Sequence, residues 1–178
     1  KLHRRSSPGP DNRRMSLNVL FLCTHNSARS ILLEALLNHL GAGRFRAYSA
    51  GSSPREHPVP HPLALEALAQ AGIPTEGLSS KSWDVFAQPH APHMDAVITV
   101  CDQAAGETCP LWPGRPVTAH WGYADPSAVQ GGIPAQRAAF AQTLGLMRQR
   151  VQAWVALPPS QLQVDVLPRT LRELSQQP

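Results

Sequence analysis

The sequence predicts a single three-layer α/β domain with a four-stranded parallel sheet flanked by helices. Three observations carry this expectation. Short runs of Val, Leu, Ile and Phe alternate with stretches of helical period, the order that builds parallel sheets. The 178 residues suffice for one core, and no repeat or linker divides residues 15–178. Of the 18 prolines, 11 cluster at 54–62, 89–92, 110–116 and 158–159, which cuts the chain into short elements joined by loops.

Asn18-Val-Leu-Phe-Leu22 reads as a strand buried on both faces. It runs into the polar loop Cys23-Thr-His-Asn-Ser-Ala-Arg-Ser30, after which Ile31 to Leu40 form a helix ended by Gly41. Arg46-Ala-Tyr-Ser-Ala50 is a second strand, closed by Gly51. Pro62 opens a helix carrying Leu65, Leu68 and Ala69, with Gly72 near its end, and a helical turn spans Ser82 to Phe86. Ala96-Val-Ile-Thr-Val100 is a third strand that delivers Cys101, and Pro116 to Ala119 form a short fourth. From Pro134 onward, Phe140, Leu144, Met147, Val151 and Trp154 make one apolar stripe of a long helix. A last short helix falls within 159–175. Ligands of such sheets bind outside the carboxyl ends of the strands, where both Cys23 and Cys101 belong.

The net charge of +4 is confined to the first 14 residues, where Lys1, Arg4, Arg5, Arg13 and Arg14 face Asp11 alone. The neutral remainder lacks the basic face of a nucleic-acid-binding domain. Residues 1–14 read as a disordered basic tail or an appended remnant, with Met15 as a natural start. No apolar stretch is long enough to span a membrane, and the tail has no signal-peptide core. Three cysteines are too few for a disulfide scaffold, so a reducing cytoplasm is expected, with the cysteines free for chemistry.

Cys23 and Arg29 stand as Cys-x5-Arg, a spacing that chance produces in about a quarter of chains with this content. Context makes it informative. A loop between a buried strand and a helix points successive amides inward, and the helix dipole adds positive potential. That field suits an oxyanion and also favours a sulfur anion, so Cys23 is the candidate nucleophile. Arg29 offers a planar fork for two oxyanion oxygens, Ser30 a hydroxyl for the sulfur, and Asn26 a brace for the loop backbone. The alternative is a buried structural cysteine beside a surface arginine, but Asn26, Ser27, Arg29 and Ser30 place too many polar groups there for a core. Asp125-Pro126, read alone, is a turn starter. Cys101 and Cys109 could be core residues, or half of a zinc site with His120, though no fourth ligand stands at a recognisable spacing.

The run Val-Leu-Phe-Leu-Cys23-x-x-Asn26-Ser27-x-Arg29-Ser30 resembles the signature loop of low-molecular-weight protein tyrosine phosphatases and of the arsenate reductases that share their fold. The resemblance covers most of residues 17–155 and implies the low-molecular-weight phosphatase fold. It makes Thr24, His25, Asn26, Ser27, Ala28 and Arg29 the oxyanion loop, with His25 where the family usually has glycine. It makes Asp125 the acid that protonates the departing oxygen. His120-Trp-Gly-Tyr-Ala-Asp-Pro126 is similar to a stretch common in the reductases, and Cys101-Asp-Gln-Ala-Ala-Gly-Glu-Thr-Cys109 resembles the redox segment of the thioredoxin-coupled ones. The resemblance thus implies arsenate or a phosphate-like oxyanion as substrate and a disulfide cascade from Cys23 through Cys101 to Cys109. A thioredoxin-type thiol would be the external reductant, with no resident cofactor. It also admits a potassium ion near Asn26, Glu34 and Ser49. Two rival functions stand beside this one: a tyrosine phosphatase, and a non-catalytic oxyanion or redox sensor. Ser127-Ala128 after Asp125-Pro126 weighs against the first, because the phosphatases usually place aromatic residues there.

Overall fold

A computed structural model describes residues 16–106 and 112–177. The basic tail expected at 1–14 and the third cysteine, Cys109, lie outside the described residues.

The chain runs β1 (Leu17–Cys23), α1 (Arg29–Leu40), β2 (Phe45–Gly51), α2 (Pro62–Gln70), a 3-10 turn (Trp83–Ala87), β3 (Ala96–Thr99), α3 (Asp102–Ala105), β4 (Val117–His120), α4 (Gly132–Val155) and α5 (Leu167–Ser175). All strands are parallel, in the order β2-β1-β3-β4. Strand order therefore reverses beside β1. Cys23 ends β1 and Cys101 follows β3, so the two cysteines flank the point where α/β sheets bind ligands.

Period-two alternation divides the residues of β1 between two cores. Val19, Phe21 and Cys23 join a large apolar cluster with α1, α2, α4 and α5, while Leu20 and Leu22 pack with Phe86, Met94, Val97 and Trp112. One outer layer is thus helical. The other is thin, built from the 3-10 turn and the Trp112 region. The stripe expected on α4 is present: Phe140, Leu144, Met147, Val151 and Trp154 are all buried. Among the described residues, no helix is long and apolar enough to cross a membrane.

Some boundaries differ from expectation. α4 starts at Gly132 rather than Pro134, because proline is tolerated in a first helical turn whose amides lack partners anyway. Gly41 ends α1 with φ −104°, so its role is spatial: a Cβ there would lie 2.7 Å from Phe45 Cδ2. The four-residue α3 is too short to leave a periodic signal.

Candidate active site

The loop between β1 and α1 wraps around one sulfur. Asn26 donates its backbone N–H to Cys23 Sγ at 3.2 Å, and Ser30 Oγ lies 2.9 Å from the same sulfur. Ser30 Oγ accepts from Asn26 Nδ2 at 2.8 Å, which leaves its own hydrogen to point at Cys23. Asn26 Oδ1 in turn accepts the Lys81 N–H at 3.0 Å. Asn26 is fully buried with φ 53°, a left-handed turn that asparagine tolerates and that folds the loop back over the sulfur.

Helix α1 begins at Arg29 with Ala28 as its N-cap, and no side chain caps it. The first-turn amides of a helix have no internal acceptor, so this terminus presents donors and positive potential at the loop. The loop is held from outside as well. Ser52 and Ser53 donate N–H groups to Cys23 O (3.2 Å) and Thr24 O (2.8 Å), and His61 donates its N–H to Ser27 O at 2.8 Å. A Cβ on Gly51 would fall 2.7 Å from Thr24 O, so only glycine lets β2 end this close to the loop. His25 is exposed, and its Nδ1 bonds Ser53 O at 2.9 Å. The positive φ falls on Asn26 and not on His25, which is why histidine fits where the family usually has glycine.

Arg29 reaches across to the loop after β4. Its Nη1 donates to Tyr123 O at 2.9 Å, and its Nη2 stands 3.8 Å from Asp125 Oδ2. Asp125 Oδ1 accepts from both Ser127 N (2.9 Å) and Ser127 Oγ (2.7 Å). Ser127 thus holds the carboxylate where the family's phosphatases usually carry an aromatic residue, and Oδ2 faces the guanidinium. Cys101 is buried, with Sγ 3.5 Å from Thr24 Oγ1, so a single loop residue bridges towards the second cysteine. Both described cysteines are free thiols.

Residues 18–166 match the family described as low molecular weight phosphotyrosine protein phosphatase. The chain belongs to that family. Within it, the chain is similar to an arsenate reductase of Bacillus licheniformis, at 33% identity over 135 residues that cover 75% of this chain and 91% of the relative. A solved arsenate reductase in the phosphate-binding state superposes with TM-score 0.59 at 25% identity, covering 79% of this chain and 97% of that one. A thioredoxin-dependent arsenate reductase from Corynebacterium glutamicum does so with TM-score 0.53 at 27% identity, covering 80% and 65%.

For this member of the phosphatase family, the position where the resemblance admits potassium is filled by a side chain. Ser49 Oγ donates to Glu34 Oε1 at 2.8 Å, and Lys81 Nζ donates to Ser49 O (2.9 Å) and Ser79 O (2.7 Å), 3.9 Å from Glu34 Oε1. An ammonium therefore already faces these oxygens. Burial pushes the Glu34 carboxyl up and the Lys81 ammonium down, and each charge opposes the shift of the other. His120, weighed as a metal ligand, instead bonds Thr99 Oγ1 at 2.8 Å and Asp102 Oδ1 at 3.0 Å. Among the described residues, no group of three or more His, Cys, Asp or Glu side chains is placed to hold a metal.

Sequence reasoning missed Lys81, Gly51, His61 and the Tyr123 carbonyl. Lys81 left one signal, as the sole lysine after Lys1 in a chain whose other basic residues are arginines. His61 caps α2, its Nδ1 accepting the Leu63 N–H at 3.1 Å, while its ring packs 4.9 Å from that of Phe140. Burial holds His61 below the ordinary histidine value, the Asp125 charge opposing this and Arg55 adding to it.

Proposed function

We propose that this chain reduces arsenate to arsenite, with Cys23 as nucleophile and Cys101 and Cys109 as successive resolving thiols. The observation that carries the reading is the sulfur of Cys23, held by the Asn26 amide and the Ser30 hydroxyl one strand away from a second buried thiol, Cys101. Adjacent strands lie about 4.8 Å apart, within range of disulfide formation after a modest local shift. The similarity to arsenate reductases, one of them thioredoxin-dependent, supports the choice of substrate and reductant.

In the first step arsenate lies over the loop amides of residues 24–29 and the α1 N-terminus, with Arg29 on two of its oxygens. Cys23 Sγ attacks arsenic as an As–O bond breaks, and Asp125 Oδ2 gives the departing oxygen its proton, so water leaves. Oδ2 is the oxygen suited to this, since Oδ1 is occupied by two bonds from Ser127. Cys101 then attacks Cys23 Sγ. The electron pair of the S–As bond goes to arsenic, which leaves as arsenite, and two thiols have become the Cys23–Cys101 disulfide. Cys109 attacks Cys101 in turn, frees Cys23 and leaves a Cys101–Cys109 disulfide for a thioredoxin-type dithiol to reduce. Lys81 serves as a resident cation, so turnover needs no potassium. The tyrosine-phosphatase and oxyanion-sensor readings share the loop but leave Cys101 without a task, and a redox sensor would leave Arg29 and Asp125 without one.

The test compares arsenate-dependent NADPH oxidation through thioredoxin and its reductase with hydrolysis of phosphotyrosine peptides. Reductase turnover that disappears in Cys101→Ser and Cys109→Ser, while Cys23-dependent cleavage of a small aryl phosphate persists, is the expected pattern. Full arsenate turnover in Cys109→Ser with thioredoxin would overturn the cascade.

A further inference from the structure

Helix α5 begins at Leu167, one residue beyond the stretch that matches the family. It buries Leu167, Thr170, Leu171 and Leu174 on one face and packs against β4, the edge strand that leads into the Asp125 loop. Beneath its C-terminal end lies Arg150 of α4, only 9% exposed. Among the described residues no carboxylate pairs with it.

Its charge is met in other ways. Arg150 Nη2 donates to Gln177 O at 3.0 Å, at the negative end of the α5 dipole. Its guanidinium carbon stands 4.9 Å from the Tyr123 ring centroid and 5.5 Å from that of Trp121. Trp121 Nε1 also donates to Leu171 O at 3.1 Å, so the α5 segment holds the loop after β4 directly through Trp121 and indirectly through Arg150. The backbone of Tyr123 donates to Val100 O at 3.2 Å and accepts Arg29 Nη1 at 2.9 Å. One continuous set of contacts therefore joins α5 to the arginine of the oxyanion loop.

We propose that Arg150, clamped by α5 over Tyr123 and Trp121, is a positioning residue that sets the place of Arg29 and the Asp125 loop. Its placement, and not only the stability of the fold, controls how tightly the loop holds a tetrahedral oxyanion. This rests on the reading of Cys23 and Arg29 as an oxyanion site. Substituting Arg150 removes the cation between the two rings and frees Tyr123, so the carbonyl that anchors Arg29 drifts.

The test uses the full chain and the variants Arg150→Met, Arg150→Lys and Trp121→Phe. Read-outs are para-nitrophenyl phosphate hydrolysis, its inhibition by inorganic phosphate, and protection of Cys23 by phosphate against alkylation by iodoacetamide. Arg150→Met should raise KM and the phosphate inhibition constant together by about tenfold, with a smaller change in kcat, because the oxyanion arginine is misplaced in the ground state. Arg150→Lys, which keeps a cation under the rings, should recover part of that loss. Trp121→Phe removes the bond to Leu171 O and part of the buried ring that packs under Arg150 and against Trp154, while Arg150 and its contact with Tyr123 stay, and it should shift both constants by about threefold in the same direction. It also stands in if Arg150→Met fails to fold. Wild-type KM and phosphate inhibition in the folded variants, whatever their melting temperatures, would make α5 a mere cover of the sheet edge and overturn the proposal. Absence of phosphate protection in the wild-type chain would overturn the oxyanion site itself, an outcome read before any variant is compared.

Discussion

Asn26→Ala tests the loop as a physical object. The substitution forces alanine into φ 53°, which costs about 1 kcal/mol that asparagine largely avoids. It deletes the donor to Ser30 Oγ, a bond worth about 1 kcal/mol net. It also leaves the part-buried Lys81 N–H without its acceptor, at a further cost of about 1 kcal/mol or more. The sum is about 3 kcal/mol, or roughly 6–12 °C in Tm for a chain of this length. Urea unfolding with an unchanged m-value measures it directly. Asn26→Gly loses the same bonds but escapes the strain, so it should be the more stable of the two variants. Asn26→Ala within about 0.5 kcal/mol of wild type, or more stable than Asn26→Gly, would refute both the strained turn and the bonded network.

Three further outcomes are expected. Lys81→Met strands a buried Glu34, so its destabilisation should be larger at pH 8 than at pH 5: the carboxyl, already raised by burial and now without its cation, takes up a proton as pH falls. Potassium chloride should restore part of the loss in that variant, and sodium chloride less, as read by thermal unfolding. The folded-state value of His61 is below the ordinary 6.5, so the folded chain binds its proton less tightly than the unfolded chain; stability should fall as pH drops through 6.5, and His61→Asn, which keeps a cap, should remove that slope. Asp125→Asn should lower aryl phosphate turnover by about 10²–10⁴-fold while Cys23 alkylation stays near wild type, since the acid and not the nucleophile is lost.

The strand–loop–helix unit was legible because its signals are local: a buried apolar run, polar residues at fixed offsets, then a helix. The α4 stripe and the placement of both cysteines at strand ends were legible for the same reason. Lys81 was not, because it meets Asn26 from 55 positions away and a lysine after two serines carries no pattern. Gly51 reads as a strand terminator, whereas its function is to leave room for Thr24 O, a contact between two chain segments. The anchor of Arg29 is a backbone carbonyl, which every residue type supplies, so no side chain at position 123 could announce it. α5 appeared in sequence only as a short terminal helix; its importance comes from the carbonyls of Leu171 and Gln177 that it brings to Trp121 and Arg150.

Mass-spectrometric mapping of disulfides in Cys109→Ser after one equivalent of arsenate tests the thiol chemistry most directly. The expected product is a Cys23–Cys101 disulfide formed in step with one equivalent of arsenite, with no added thiol. Arsenite that appears only with an external thiol, and with that thiol joined to Cys23 while Cys101 stays free, would contradict the assignment of Cys101.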